Sequence, residues 1–249
     1  MPYRTDIAYL YDGSFNGLLC CVYESYYERE LPSMIFNYEE VQETLFPVKE
    51  IVTDNINAQK VERSICQSIS REALRLAWLC YLSQTENREI TILQFLRMGY
   101  KIGAKVTSML AHDTVRTITK SAQNVQGEAH LFKGFLRFSE YNGALAAVIE
   151  PKNFVLPLIA PHFCDRFSGE QFLIYDKSHK CAFVYQDGEK SLIPAEHLEF
   201  PETGAEEEKY RELWKQFYNT IAVEGRINPK LRMNNMPKRY WTHMTEFMT

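Results

Sequence analysis

The basic residues near the C-terminal end are the side chains best suited to bind a charged ligand. Between positions 226 and 241 the chain has five cations, no acidic residue and two final aromatic residues, namely Arg226, Lys230, Arg232, Lys238, Arg239, Tyr240 and Trp241. Cations of this kind neutralise phosphates, and nucleic-acid bases stack on aromatic rings. The segment therefore predicts a nucleic-acid contact. The alternative is a basic segment whose two aromatic rings pack on the fold.

A second pair of cations lies in the middle of the chain, within residues 128–138. Lys133 and Arg137 are four residues apart, so they share a face in a helix and also in a strand. We predict that both contact a phosphate backbone. The alternative is that they occupy the solvent-facing edge of a sheet.

Three residues are candidates for acid–base chemistry, Glu128, His130 and His162. His130 could act as a general base or donate a hydrogen bond at the edge of the core. His162 and Cys164 resemble a base and a nucleophile, but residues two apart point away from each other on a helix. We therefore predict no nucleophilic pair at this position.

Several sequence motifs that bind metals or cofactors are absent from the sequence. The six cysteines form no C-x-x-C pair and lie mostly within apolar runs, as reduced core thiols do. There is no P-loop and no G-x-G-x-x-G motif. We expect no metal and no cofactor.

Size and composition indicate an ordinary globular protein. The 249 residues are 45% hydrophobic and 24% charged, and the net charge of -4 excludes a protein that coats nucleic acid through bulk charge. No apolar run is long enough to span a membrane, and the N-terminus lacks the pattern of a signal peptide. We expect a cytoplasmic location.

The hydrophobic periodicity of the first half predicts a β–turn–α opening followed by helices. Residues 7–11 form the expected strand, and Ser14 is placed to cap the helix that follows. A helical block extends from about residue 57 to 130, with one helix over 91–102 and a long one that starts near residue 106. His112 and Asp113 suit the entry to that long helix.

The second half predicts a mostly antiparallel sheet. The pattern alternates after Glu128, giving strands over 135–138, 145–149, 172–175 and 182–185, with hairpin turns at Asn142-Gly143 and Asp187-Gly188. A short or broken helix is expected over 156–167 and an amphipathic helix over 205–223. This segregation predicts one α+β domain over residues 1–249, with possible sub-blocks at 1–127 and 128–249.

Four motifs, in a fixed order along the chain, resemble those of a known family. They are Tyr11-Asp-Gly-Ser-Phe15, the 128–138 stretch with Glu128-Ala-His130 and Lys133-Gly-Phe-Leu-Arg-Phe138, the 155–163 stretch Val-Leu-Pro-Leu-Ile-Ala-Pro-His-Phe, and the 228–241 stretch that ends in Met-Pro-Lys-Arg-Tyr-Trp. They resemble a bacterial family with a domain of unknown function, labelled as DNA metabolism or DNA repair proteins. The resemblance spans nearly the whole chain.

The resemblance implies a context rather than a catalytic residue. Members are encoded beside a radical-SAM protein associated with DNA repair, and related domains occur fused to uracil-DNA-glycosylase-like domains. This chain lacks the C-x-x-x-C-x-x-C motif of a radical-SAM enzyme. Three functions stay open: a DNA-binding accessory protein of DNA repair that acts with the radical-SAM partner, a DNA-processing enzyme that uses Glu128, His130 or His162, and a protein-interaction module.

Overall fold

The computed structural model describes residues 3–39, 44–141, 143–198, 200, 204–220 and 229–247, and its fold is α+β. The chain divides into two compact units, Met1–Val125 and Gln126–Thr249, here called unit 1 and unit 2. Within the described residues, no helix is long and apolar enough to cross a membrane.

Unit 1 opens with the predicted β–turn–α arrangement. Strand β1 (Ala8–Tyr11) is the centre of a three-stranded parallel sheet, between β2 (Met34–Asn37) and β3 (Val48–Glu50). The side chain of Ser14 accepts a hydrogen bond of 2.9 Å from the backbone N–H of Gly17, which confirms Ser14 as the helix cap. The sequence analysis did not predict β2 or β3.

Helix α1 (Phe15–Tyr27) is the helix predicted to follow Ser14. Three further helices cover the first part of the predicted helical block, α2 (Asn55–Ser68), α3 (Arg71–Tyr81) and α4 (Arg88–Ile102). Each of α1, α2 and α3 is preceded by a capping residue whose side-chain oxygen accepts a backbone N–H of the first turn, namely Ser14, Asp54 and Ser70. The caps explain why these helices start where they do.

Helix α5 (Asp113–Phe135) corrects two predictions. It begins after a 3-10 helix, Gly103–Ser108, rather than near residue 106, and His112 precedes it as predicted. It also continues through Phe135, so the predicted strand over 135–138 is wrong. Ala129 and Phe132 are buried at helical spacing, and the N–H of Leu136 still donates to Phe132 at a helical distance. The aromatic residues of this stretch suggested a strand, although its backbone is helical through Phe135.

Unit 2 is built on a five-stranded sheet. Its order is β4 (Ser139–Tyr141), β5 (Ala144–Ile149), β6 (Phe172–Asp176), β7 (Cys181–Gln186) and β8 (Glu189–Pro194). The pairings are antiparallel except that of β5 with β6, which α6 (Leu156–Arg166) connects. Asp187 and Gly188 both have positive φ, which confirms the tight turn between β7 and β8. Asn142 of the other predicted turn lies outside the described residues.

The C-terminal part of unit 2 is helical. It contains α7 (Ala205–Thr220), α8 (Pro229–Asn235) and two 3-10 helices, Lys238–His243 and Thr245–Phe247. Residues 221–223 of the predicted amphipathic helix lie outside the described residues. Tyr240 and Met244 are buried with Phe163 and Phe172 in the core of the unit. The residues of the two 3-10 helices and the linking Met244 therefore form part of the packed core of unit 2.

Candidate nucleic-acid interface

A cavity of about 620 Å³ in unit 2 brings cations and aromatic rings together. The C-terminal ends of α5 and α6 and one side of α7 line it. Its four cations are Lys133, Arg137, Arg166 and Arg211, and its aromatic lining includes Tyr210 and Trp214. We call this cavity the cationic groove. It includes both basic residues that the sequence analysis selected within residues 128–138.

The four cations of the cationic groove differ in their charge partners. Arg137 forms two hydrogen bonds, of 2.7 and 3.3 Å, to the carboxylate of Glu246. Arg211 lies 3.0 Å from Glu207. Lys133 and Arg166 have no carboxylate partner within the described part of the chain. Two of the four cations in the groove are therefore not neutralised by a carboxylate among the described residues.

Arg137 is fixed by contacts on several sides. Its guanidinium lies 5.7 Å from the ring of Trp214 and donates to the backbone oxygen of Gly134 at 3.0 Å. Burial acts to raise the pKa of Glu246, but the hydrogen bond from Arg137 and those from Trp214 and the backbone outweigh it, so the net pKa lies below 4.5. Glu246 therefore stays ionised at neutral pH and holds Arg137 in position.

Two exposed rings border these cations on α7. Tyr210 is 64% exposed and Trp214 is 41% exposed. They are four residues apart on a helix, so they lie on one face. The sequence analysis predicted an amphipathic helix here and did not select these two rings as site residues. The signal that could have found them is their i, i+4 spacing with Arg211 between them.

The C-terminal basic segment is divided among different environments. The guanidinium of Arg239 lies 3.0 Å from the buried carboxylate of Glu128. Lys230 and Lys238 are exposed, and Lys238 lies 6.0 Å from the ring of Trp241. Arg226 and the side chain of Arg232 lie outside the described residues. Only part of the predicted set therefore has a described position.

The two aromatic residues of that segment pack on unit 2. Tyr240 is buried, with its ring 5.0 Å from that of Phe132 in an edge-on contact. Trp241 stacks on Phe247 at 4.3 Å, and its indole N–H donates to the backbone oxygen of Met236. The rings are thus anchored on the fold, which leaves the exposed cations of the segment as its better candidates for a phosphate contact.

The acid–base candidates occupy three unlike positions. Glu128 is buried and accepts hydrogen bonds from the backbone N–H groups of Lys152 and Asn153 and from the side-chain amide of Asn153. His130 is exposed, and His162 is half-buried with its ring 5.0 Å from that of Phe163. No hydrogen bond joins any two of these three side chains in the described part of the protein.

Metal-binding geometry is not found in the residues that the structure describes, where no group of three or more His, Cys, Asp or Glu side chains could hold an ion. Burial raises the pKa of Cys164, so its thiol stays protonated at neutral pH. The cationic groove combines cations, which can pair with negative charge, with exposed rings, on which a planar ring can stack.

Comparisons with known proteins identify one family. Neither the curated proteins nor the solved structures gave a match. The family model described as DUF4130, a domain of unknown function, matches residues 86–246, which include the whole cationic groove. Because the match covers more than half of the sequence, the chain belongs to the DUF4130 family.

Proposed function

We propose that this protein is a cytoplasmic accessory protein of DNA repair or DNA metabolism that binds single-stranded DNA in the cationic groove. The observation that carries the proposal is the placement of Lys133 and Arg166, both without a carboxylate partner, beside the exposed rings of Tyr210 and Trp214. Phosphates would contact the cations while bases stack on the rings.

Single-stranded DNA fits the groove better than duplex DNA. Stacking on a protein ring needs a base that is not already stacked between neighbours, and single strands supply such bases. A basic patch that binds duplex by charge alone gains nothing from exposed tyrosine and tryptophan rings. The mixture of two available cations with two exposed rings therefore favours a single strand.

The partner in this proposal is the radical-SAM protein suggested by the family resemblance. This chain has no C-x-x-x-C-x-x-C motif, so it would not hold the iron–sulfur cluster of such an enzyme. The proposed division of labour is that this protein holds the DNA strand and the partner performs the chemistry. Co-purification of the two proteins from nuclease-treated lysate tests the association separately from DNA binding.

A protein-interaction role is the second candidate, and one observation favours it. Leu213 is 50% exposed between Tyr210 and Trp214, so part of α7 presents apolar side chains to solvent. A partner helix or groove could cover them. Binding of the radical-SAM protein that is lost in Leu213→Asp, without any DNA binding by the purified protein, would favour this role over the first.

Fluorescence anisotropy with labelled oligonucleotides tests the DNA-binding proposal. The probes are a thymine oligonucleotide, a mixed-sequence single strand and the corresponding duplex. The test variants are Lys133→Ala/Arg166→Ala, which removes the unpaired charges, and Tyr210→Ala, which removes an exposed ring. The control is Lys152→Ala/Lys190→Ala, which removes two exposed lysines of unit 2 outside the groove.

We expect the single strand to bind more tightly than the duplex and Tyr210→Ala to weaken binding by about 1–3 kcal/mol, as loss of one stacked base does. The control variant should bind like the wild type. Wild-type protein that binds neither single-stranded nor duplex DNA, or a groove variant that binds as well as the control, would show the proposal to be wrong.

A further inference from the structure

A second cavity lies in unit 1, far from the proposed groove in sequence. It has a volume of about 530 Å³, within the range of about 300–1,000 Å³ usual for small-molecule sites. Residues of α1, α2 and α4 line it. Its side chains include four tyrosines, Tyr23, Tyr26, Tyr27 and Tyr100, together with Lys60 and Ser64. We call it the tyrosine pocket.

The tyrosine rings of this pocket are arranged in two pairs. Tyr23 and Tyr27 are nearly parallel, 13° between planes, with centroids 5.8 Å apart. Tyr26 meets Tyr100 edge-on at 5.4 Å. Tyr27 is 71% exposed, so its ring contributes little to the core. A planar ligand ring would find both ring faces and ring edges available here.

The two cations beside the rings favour a negatively charged ligand. The ammonium of Lys60 lies 6.0 Å from the centroid of Tyr23 and donates to the side chain of Asn57 at 3.0 Å. The guanidinium of Arg97 lies 4.5 Å from the centroid of Tyr26. Neither cation has a carboxylate partner among the described residues. Aromatic cages for quaternary ammonium groups use the same rings, but these two positive charges would repel such a ligand.

The phenol groups that line the pocket can form hydrogen bonds with a ligand. Burial raises the pKa of Tyr26 to about 12 and also raises that of Tyr100. Both phenols therefore keep their protons at neutral pH and can donate as well as accept. Ser64 adds a hydroxyl from α2. Such groups match the mixed donors and acceptors on the edge of a nucleobase.

We propose that the tyrosine pocket binds a nucleobase that carries a phosphate, with the base stacked on the exposed ring of Tyr27 and the phosphate near Lys60. Two sources share this chemistry, a free mononucleotide and one nucleotide of a single strand. The inference goes beyond the proposed function, because it concerns another unit of the chain and does not require the cationic groove.

Isothermal titration calorimetry with four probes tests the pocket. Thymidine 5′-monophosphate has base and phosphate, thymidine lacks the phosphate, deoxyribose 5-phosphate lacks the base, and a thymine oligonucleotide supplies the single strand. We expect the monophosphate or the oligonucleotide to bind more tightly than either fragment. Tyr27→Ala should weaken that binding about 5- to 150-fold, as loss of one stacking ring does.

Three variants make the test specific. Tyr27→Phe keeps the ring and should lose less affinity than Tyr27→Ala, whereas Lys60→Gln should weaken binding of the phosphate-bearing probes and reduce its salt dependence. Tyr38→Ala is the control, since it removes an exposed tyrosine of unit 1 outside the pocket. Thermal unfolding of each variant shows that the fold is intact.

The outcomes separate the two sources and the two sites. Binding of the monophosphate that depends on Tyr27 assigns the pocket to free nucleotides, even if no oligonucleotide binds and the proposed function fails. Oligonucleotide binding alone that depends on Tyr27 and Lys60 assigns it to single strands. Binding that is unchanged in both variants, equal binding of deoxyribose 5-phosphate, or no binding of any probe overturns the inference. Oligonucleotide binding that depends on Lys133 and Arg166 but not on Tyr27 leaves the proposed function standing alone.

Discussion

The guanidinium of Arg239 lies 3.0 Å from the carboxylate of Glu128, whose side chain is almost completely buried. The sequence analysis placed these residues in different roles, Arg239 as a phosphate contact and Glu128 as an acid–base candidate. Their contact joins the C-terminal 3-10 helix to α5, and Glu128 also holds the backbone at Lys152 and Asn153. The pair therefore links three segments of unit 2, which are α5, the 3-10 helix Lys238–His243 and the loop at residues 152–153.

Replacing Arg239 should test this linking role. Arg239→Ala leaves a buried carboxylate with hydrogen bonds but no cation, so we expect the free energy of unfolding to fall by about 1–2 kcal/mol. The neighbouring Lys238→Ala removes an exposed cation and should change it by no more than about 0.5 kcal/mol. Urea denaturation followed by circular dichroism gives both values. Equal stability of the two variants would contradict the role.

The salt dependence of DNA binding should report how many phosphates the cations of the cationic groove neutralise. Each phosphate that a cation neutralises contributes about 0.7 to the slope of log K against log salt for single strands. Lys133→Ala/Arg166→Ala should therefore make the slope shallower by about 1.4. Lys152→Ala/Lys190→Ala should keep the wild-type slope. An unchanged slope in the groove variant would mean that its two cations contact no phosphate.

The Arg137–Glu246 pair should make stability depend on pH. Because the folded-state pKa of Glu246 lies below its ordinary value of 4.5, the stabilisation is fully present above pH 4.5 and is lost as the pH falls through the depressed pKa. Glu246→Gln should therefore be less stable than the wild type at pH 7, by about 1.5–3 kcal/mol, and the difference should shrink in acid.

Urea midpoints measured between pH 7 and strongly acidic buffer test this dependence. Glu189→Gln, which alters an exposed glutamate on β8, is the matched control and should run parallel to the wild type at every pH. A deficit for Glu246→Gln that stays constant as the pH falls would show that the ionised carboxylate does not stabilise unit 2.

Replacing two helical glycines, Gly99 and Gly127, by alanine should change the stability of the protein in opposite directions. A Cβ atom at Gly99 in α4 would lie 2.6 Å from Cδ1 of Ile69, whereas a Cβ at Gly127 in α5 would meet nothing within 4 Å. Alanine favours the helix over glycine by about 0.8–1.0 kcal/mol. Gly127→Ala should therefore be stabilising by about that amount. Gly99→Ala should be destabilising, because an overpacked core costs about 1–3 kcal/mol. Thermal unfolding gives the sign of each change, and a stabilising Gly99→Ala would mean that Ile69 moves aside freely.

Features governed by local chemistry were predictable from the sequence. Ser14 caps α1 because its hydroxyl accepts a backbone N–H two or three residues on, and the Asp187-Gly188 turn follows from positive φ at both positions. Strands β2 and β3 were missed because they are short and pair in parallel with β1. Such pairing depends on chain segments far apart, so no local alternation marks it.

The site was partly predictable for the same reason. The spacing of Lys133 and Arg137 indicated a shared face, and both line the cationic groove. Arg166 and Tyr210 join them only through the packing of α6 and α7, which no spacing in the sequence encodes. Likewise, the apolar periodicity of α7 predicted an amphipathic helix, but periodicity does not reveal whether another element covers its apolar face, and Tyr210 and Trp214 are exposed.

The position of Tyr240 against Phe132 and Phe135 has a consequence for biosynthesis. In a nascent chain the parts of those two α5 rings that Tyr240 contacts stay uncovered until the ribosome has also delivered the 240–246 region, which supplies both Tyr240 and the counter-ion of Arg137. Unit 2 cannot close co-translationally before that point, and the uncovered rings are a surface for aggregation or chaperone capture in the interval. Premature termination after residue 220 would yield a chain that keeps the four cations of the cationic groove but lacks the residues that complete the core of unit 2.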